Sequence, residues 1–310
     1  IALDLIKSAD VLIHNFRPGV PERLGIGYEA VKALNPKIIY LQSNGYGPDG
    51  PGALRPSTHP IPGAAMGGVV YQMGENLPSE VQDMKSLRLW TKRLMRANEV
   101  NPDPNTAMVV CTSVMLGLMA RKTTGEGQQI FMDMFGANAY ANHDDFLTYP
   151  EKKPRALADD LMHGLNPTYR LYQCDNDEWI FLALVTKREK VLFLEILSTY
   201  GVDCSQISLE ELEKETITEK LQALFKSRPA FYWEDLLAPR GIGCVRADGP
   251  PPPLFWLEDA QAQSMNLTKS SNYPDWGRYK RHGPNALFSC GVSHLKSAPC
   301  GGQHSEEILS

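Results

Sequence analysis

Two arginines follow closely behind a short apolar run. Val11 to Asn15 (VLIHN) leads into Phe16-Arg17-Pro18-Gly19, and Arg23 comes soon after. An apolar run that stops at Pro and Gly reads as a buried parallel strand. In an open α/β sheet, ligands bind at the C-terminal ends of such strands. Guanidinium groups placed there could pair with phosphate through charge-assisted hydrogen bonds. On residue types alone the plainer reading is that Asn15-Phe16 forms a strand-ending turn and that Arg23 is a surface residue. Other titratable residues invite the same weighing. Asp133, Asp144 and Asp145 lie after Gly125-Glu126-Gly127-Gln128, and by themselves read as solvated or capping carboxylates. His59, in Thr58-His59-Pro60, reads as a loop residue, and Asp103, in Asn101-Pro102-Asp103-Pro104, as a cap for a helix from Thr106 onward. The six cysteines are scattered without a Cys-x-x-Cys pair. That points to free thiols in a reducing compartment and away from a structural metal.

The elements that must position these residues begin as an α/β unit. Val11–Asn15 is read as a strand, Tyr28–Leu34 as a short helix ended by Asn35-Pro36, and Ile38–Ser43 as a second strand closed by Asn44-Gly45-Tyr46-Gly47. Pro48 to Gly74 is rich in Gly and Pro and is not one regular element; a loop of that length is usually functional or disordered. Thr106–Arg121 is apolar nearly all round and is predicted to be a buried helix. Gln128–Phe135 is predicted as a strand and Ala137–Tyr149 as a helix. Beyond Arg155 the character changes. A hairpin is predicted over Leu171–Leu184, followed by helices over Lys187–Tyr200 and Leu209–Lys226. Ser208 and Glu211 form a capping box for the latter. A short helix (Phe231–Leu237), a short strand (Cys244–Arg246), a linker at Pro250–Pro253 and a final helix start at Ser305–Leu309 complete the pattern.

Bulk composition bounds the function. The chain has 310 residues, 43% hydrophobic and 22% charged, which suits a soluble fold with one large domain or two ordinary ones. Its net charge of −5 makes nucleic acid an unfavourable partner. No apolar run reaches membrane-spanning length. The opening Ile1-Ala2-Leu3-Asp4-Leu5 reads as the middle of a domain, so a fragment, or one half of a longer chain, is expected. No G-x-G-x-x-G follows a strand, which disfavours a plain dinucleotide-binding dehydrogenase.

Four segments, in order, resemble the class III CoA-transferases, the formyl-CoA and carnitine CoA-transferase family. They are Ala9 to Gly19 with Arg23-Leu24-Gly25; Asn35 to Tyr40 with Gly45-Tyr46-Gly47-Pro48-Asp49-Gly50-Pro51; Ala120 to Gln128; and Tyr169 to Ile180. The tail from Gly301 to Leu309 is similar to the family's end. The resemblance implies an α/β protein. A Rossmann-like parallel-sheet large domain, here missing its first strands, would comprise 1–165 and 265–310. An inserted small α+β domain would comprise 166–264. It further implies a homodimer or fused pseudo-dimer interlocked like chain links; the scattered free thiols point to a cytoplasmic protein. Such a protein exchanges CoA between an acyl-CoA and a small carboxylic acid, with the CoA thioester as substrate and no permanently bound cofactor or metal. Asn15, Phe16 and Arg23 match the CoA-holding edge, and Arg17, by its place at the same strand end, joins them as a CoA-binding candidate.

The resemblance also exposes a gap. The family's nucleophilic aspartate, which forms a mixed anhydride and then an aspartyl-CoA thioester, falls on Gly136, which has no side chain. If the strand continues through 136, alternation turns Asp133 to the opposite face, unless a bulge or register shift rescues it. Asp144 and Asp145 would lie about 12 Å down a helix. One answer is that the chain is one half of a fused transferase whose other half supplies the aspartate, the glycine leaving room for substrate; two further readings are carried. One is a protein similar to α-methylacyl-CoA racemases, which share the fold and exchange an α-proton between a His and an Asp on opposite faces of the substrate carbon. His59 and Asp103 fall near those positions. The other is a catalytically inactive CoA-binding subunit. The family's glycine-rich lid corresponds to His163-Gly164-Leu165-Asn166-Pro167, which keeps one glycine, so a mobile lid is not expected.

Overall fold

The computed structural model describes residues 1–68, 80, 83–96, 102–159, 161–284, 286–290 and 297–310. The chain divides into two units, Ile1–Met162 and His163–Ser310. Residues 265–310, expected in the large domain, fall within the second unit. The part of the glycine- and proline-rich loop beyond residue 68, and Asn101, lie outside the described residues.

The first unit is built on a three-stranded parallel sheet: β1 (Val11–His14), β2 (Ile39–Asn44) and β3 (Gln128–Asp133), in that order. β2 is central and buried along its whole length. Its sequence splits by chemistry. Ile39-Tyr40-Leu41 fills the core, while Gln42-Ser43-Asn44 takes buried polar positions at the C-terminal end. The register pairs Asn44 with Asp133 and His14 with Gln42, so the polar ends of all three strands share one edge. Gly127 permits the pairing at the other end. A Cβ there would stand 2.1 Å from the Ile38 carbonyl oxygen.

The helix predicted over Thr106–Arg121 runs over Pro102–Thr124. It is not buried all round. Val109, Val110 and Val114 pack on Leu41 and Met132, and Gly117 lets the helix approach Ile39 and Ile130. Met108, Met115, Leu116 and Met119 on the other side are exposed. Apolar content all round gave no sign of which side meets the sheet. The strand expected to reach Phe135 stops at Asp133, because the Asp133 carboxylate caps a helix over Met134–Ala141. That helix starts before the predicted Ala137 and breaks at Asn142, leaving one turn over His143–Phe146. A short helix, Pro60–Ala65, appears inside the predicted loop.

The second unit holds a four-stranded antiparallel sheet: β4 (Gly164–Asn166), β5 (Tyr169–Gln173), β6 (Trp179–Ala183) and β7 (Gly243–Arg246). Helices Lys187–Thr199, Ile217–Lys226 and Ala230–Leu237 contribute Phe193, Leu197, Phe225 and Trp233 to its core. Thr186 and Glu189 form a capping box at the first of these. The Ser208–Glu211 box forms as predicted but closes a 3-10 turn, Glu211–Glu213, rather than the long helix. There Leu212 is buried and Glu213 pairs with Lys190 at 2.7 Å, so the chain turns before resuming at Ile217. The four-proline linker instead opens a helix, Pro252–Glu258, since proline is tolerated in a first turn. A polar hairpin, Thr268–Tyr273 with Gly277–His282, was not foreseen. Gly164 sits so close to Tyr169 and Arg170 that the stretch matching the family's lid is pinned in the sheet.

Candidate functional site

The C-terminal edge of the first unit's sheet brings the candidate residues together. At the end of β1, His14 Nδ1 accepts from the Phe16 N–H (3.3 Å), so the ring proton sits on Nε2. Nε2 then donates to the Tyr40 hydroxyl (2.8 Å), which donates to the Ile26 carbonyl (3.0 Å). Burial holds the His14 pKa below its usual value, with Glu22 partly opposing it. Burial, helped by Glu22, pushes Tyr40 up to about 12. A neutral imidazole of fixed tautomer thus anchors the turn that carries Asn15 and Phe16. Phe16 stacks on that imidazole and stays partly exposed. Its carbonyl accepts from Gln42 at 3.2 Å. Arg17 donates to the Leu54 carbonyl at 3.3 Å, and exposed Arg23 closes the short helix Val20–Arg23.

At the end of β2, Asn44 folds the chain back. Its Oδ1 accepts from the N–H groups of Tyr46 and Gly47, and its Nδ2 donates to the Gly47 carbonyl. Gly47 has φ +88°, a conformation that favours glycine. Gly45 lies against Ser57, where a Cβ would be 2.1 Å from the hydroxyl oxygen.

At the end of β3, the structure corrects the expected orientation of Asp133. The strand does not continue through 136. Asp133 is the N-cap, and its Oδ1 accepts from the Gly136 N–H at 2.8 Å. A Cβ on Gly136 would stand 3.6 Å from Oδ2, and one on Gly47 would stand 3.7 Å from it. The carboxylate therefore lies on the same side as a residue-136 side chain would, not opposite it. Asp144 and Asp145 sit on the separate turn His143–Phe146, where Asp145 pairs with Arg155.

His59 and Asp103 also meet. His59 Nδ1 is 3.3 Å from Asp103 Oδ2, both partly exposed. His59 precedes the helix Pro60–Ala65, and Asp103 lies in the first turn of Pro102–Thr124. One turn along, Thr106 is buried with its hydroxyl unpartnered. Two contacts tie this pair to the Asp133 side: Ser57 Oγ to Met134 Sδ at 3.7 Å, and Asn105 Nδ2 to Asn138 Oδ1 at 2.7 Å. Sequence reasoning passed over His14, Gln42, Asn44, Ser57 and Asn105. The Asn44-Gly45-Tyr46-Gly47 turn signal pointed at one of them; the others carried none. Among the described residues no cluster of His, Cys, Asp or Glu suits a metal ion, and no helix is long and apolar enough to cross a membrane.

A parallel sheet with its polar strand ends gathered at one edge defines an α/β protein, and that edge is the candidate site. The chain belongs to CoA-transferase family III, whose profile matches residues 1–305. An acyl-CoA transferase of Fusarium pseudograminearum (strain CS3096) is 37% identical over 135 residues, which is 44% of this chain and 26% of that protein. The chain thus matches about a quarter of that relative's length. The α-methylacyl-CoA racemase of Mus musculus is 24% identical over 329 residues, spanning all of this chain and 79% of that protein. The fold is similar to that of Rv3272 from Mycobacterium tuberculosis, with a TM-score of 0.71 at 18% identity, covering 98% of this chain and 78% of that one.

Proposed function

We propose that the chain transfers CoA from an acyl-CoA thioester to a small carboxylic acid. The observation that carries this is the closed His59–Asp103 contact. Exchange of an α-proton between two bases on opposite faces needs a substrate carbon between them. At 3.3 Å between His59 Nδ1 and Asp103 Oδ2 the two side chains stand in contact and leave no such space. Family membership then favours transfer over proton exchange. In this reading Phe16 and Asn15 present a partly apolar rim to CoA. Arg17 and exposed Arg23 take its phosphates through charge-assisted hydrogen bonds. The His59–Asp103 pair is a polar wall of the acid site, with Asp103 orienting the imidazole.

Proton exchange by His59 and Asp103 is the second reading, favoured by the full-length likeness to the racemase. It requires the pair to part when substrate enters. An inactive CoA-binding subunit is the third, and Gly136 is its ground. The proposal extends to organisation. It takes 1–165 and 265–310 as a discontinuous large domain around 166–264, in an interlocked homodimer or fused pseudo-dimer. A cytoplasmic location fits the six free thiols.

The test supplies the full-length protein with unlabelled acyl-CoAs and a panel of carbon-13-labelled carboxylic acids. Label appearing in the thioester pool supports transfer. Its absence across the panel, with CoA still bound, favours the inactive subunit.

A further inference from the structure

We infer that Asp133 is the carboxylate that carries the acyl group in this chain, in place of residue 136. The inference rests on the CoA-transfer reading. Three observations converge on it. Asp133 ends β3 at the ligand edge, paired in register with Asn44 at the end of β2. Its Oδ1 is fixed by the Gly136 N–H, so the carboxylate has one held and one open oxygen. The space beside Oδ2 is bounded by two residues without side chains, Gly47 and Gly136.

Gly47 needs its glycine for backbone reasons, having φ +88°. Gly136 does not. It lies in a helix with ordinary backbone, and a Cβ there meets Asp133 only at ordinary van der Waals distance. What the missing side chain does is leave unfilled the space beside the Asp133 carboxylate, whose Oδ2 and Oδ1 would stand 3.6 and 3.7 Å from a Cβ there. A longer side chain at 136 would lie over the oxygen that must attack.

The chemistry balances without a further reactant. Asp133 Oδ2 attacks the thioester carbonyl, the C–S bond breaks, and CoA leaves as thiolate from an acyl-aspartyl anhydride. The thiolate attacks the Asp133 carbonyl carbon of that anhydride. The C–O bond breaks, the donor acid leaves as carboxylate, and Asp133 holds CoA as a thioester. The acceptor carboxylate runs the two steps in reverse and restores Asp133. No proton is consumed and nothing is oxidised.

Asp133→Asn is the decisive variant, because asparagine caps a helix as well as aspartate and still accepts from the Gly136 N–H. The full-length protein and this variant are given acyl-CoA and acid, with folding checked by thermal melting. Wild type is quenched in hydroxylamine and the peptides read by mass spectrometry. The expected result is a hydroxamate on Asp133, transfer lowered at least a thousandfold in Asp133→Asn, and an unchanged melting temperature. Gly136→Leu is expected to lower transfer with the cap intact. Wild-type transfer that survives in Asp133→Asn, or a hydroxamate on another residue, overturns Asp133 and leaves the transfer reading standing. No transfer by wild type overturns both.

Discussion

Asp133 has two separable roles, a cap and a reacting group, and substitutions distinguish them. Asp133→Ala removes the acceptor for the Gly136 N–H and is expected to cost about 1 kcal/mol in chemical denaturation, the usual loss for a helix N-cap. Asp133→Asn is expected to cost almost nothing. Both are expected to lose transfer. His14 gives a second prediction at this scale. Burial lowers its folded-state pKa below the ordinary 6.5, so as pH falls the unfolded chain takes up the proton first. Its contribution to stability is therefore present above about pH 6.5 and is lost as pH drops through 6.5 towards the lower folded value. The groups facing it are Tyr40 and Glu22. Urea denaturation across pH 7.5 to 5 is expected to show falling stability, and His14→Gln to flatten that part of the slope.

Sequence patterns located most of the regular elements but not their ends. Tyr28–Leu34 was found to the residue, and β1 and β2 nearly so, because Pro and Gly mark their limits. The error that mattered was two residues at the end of β3. Met134 and Phe135 look like strand residues, and a strand carried on through 136 would turn Asp133 away unless a bulge or register shift intervened. What ends the strand is a hydrogen bond from Gly136 back to Asp133, and nothing in the alternation encodes it. His59 and Asp103 were paired through the resemblance to the racemases, across a substrate carbon, but their direct contact was not legible, since 44 positions separate the two residues in the chain. The Thr268–His282 hairpin was missed because its strands are polar, although Pro274-Asp275-Trp276-Gly277 signals its turn. Glycine does give a prediction at this scale. Gly127→Ala drives a methyl group against the Ile38 carbonyl, which cannot move without breaking β2–β3 pairing. A loss of about 1–3 kcal/mol is expected in thermal or urea unfolding, as for overpacking elsewhere.

At the scale of the molecule, the two units carry different burdens. The second has the larger contiguous core, in which Phe225 touches Tyr172, Phe193 and Trp233. Among the described residues the first has two smaller clusters, and it holds the candidate site. Phe225→Ala is expected to destabilise by about 3–5 kcal/mol, while CoA affinity, measured calorimetrically at a temperature where the variant is folded, stays unchanged. The same core change lowering CoA affinity tenfold would contradict placing the CoA edge on the first unit alone.

The central claim is transfer of CoA, and one measurement bears on it most directly. The full-length protein is incubated in deuterated water with a panel of acyl-CoAs and free carboxylic acids, and every thioester is read by mass spectrometry. The prediction is a new thioester of an added acid, with no deuterium at the α-carbon of the acyl group. Deuterium at that carbon without any new thioester would contradict it, and would mean that His59 and Asp103 part to admit the substrate between them.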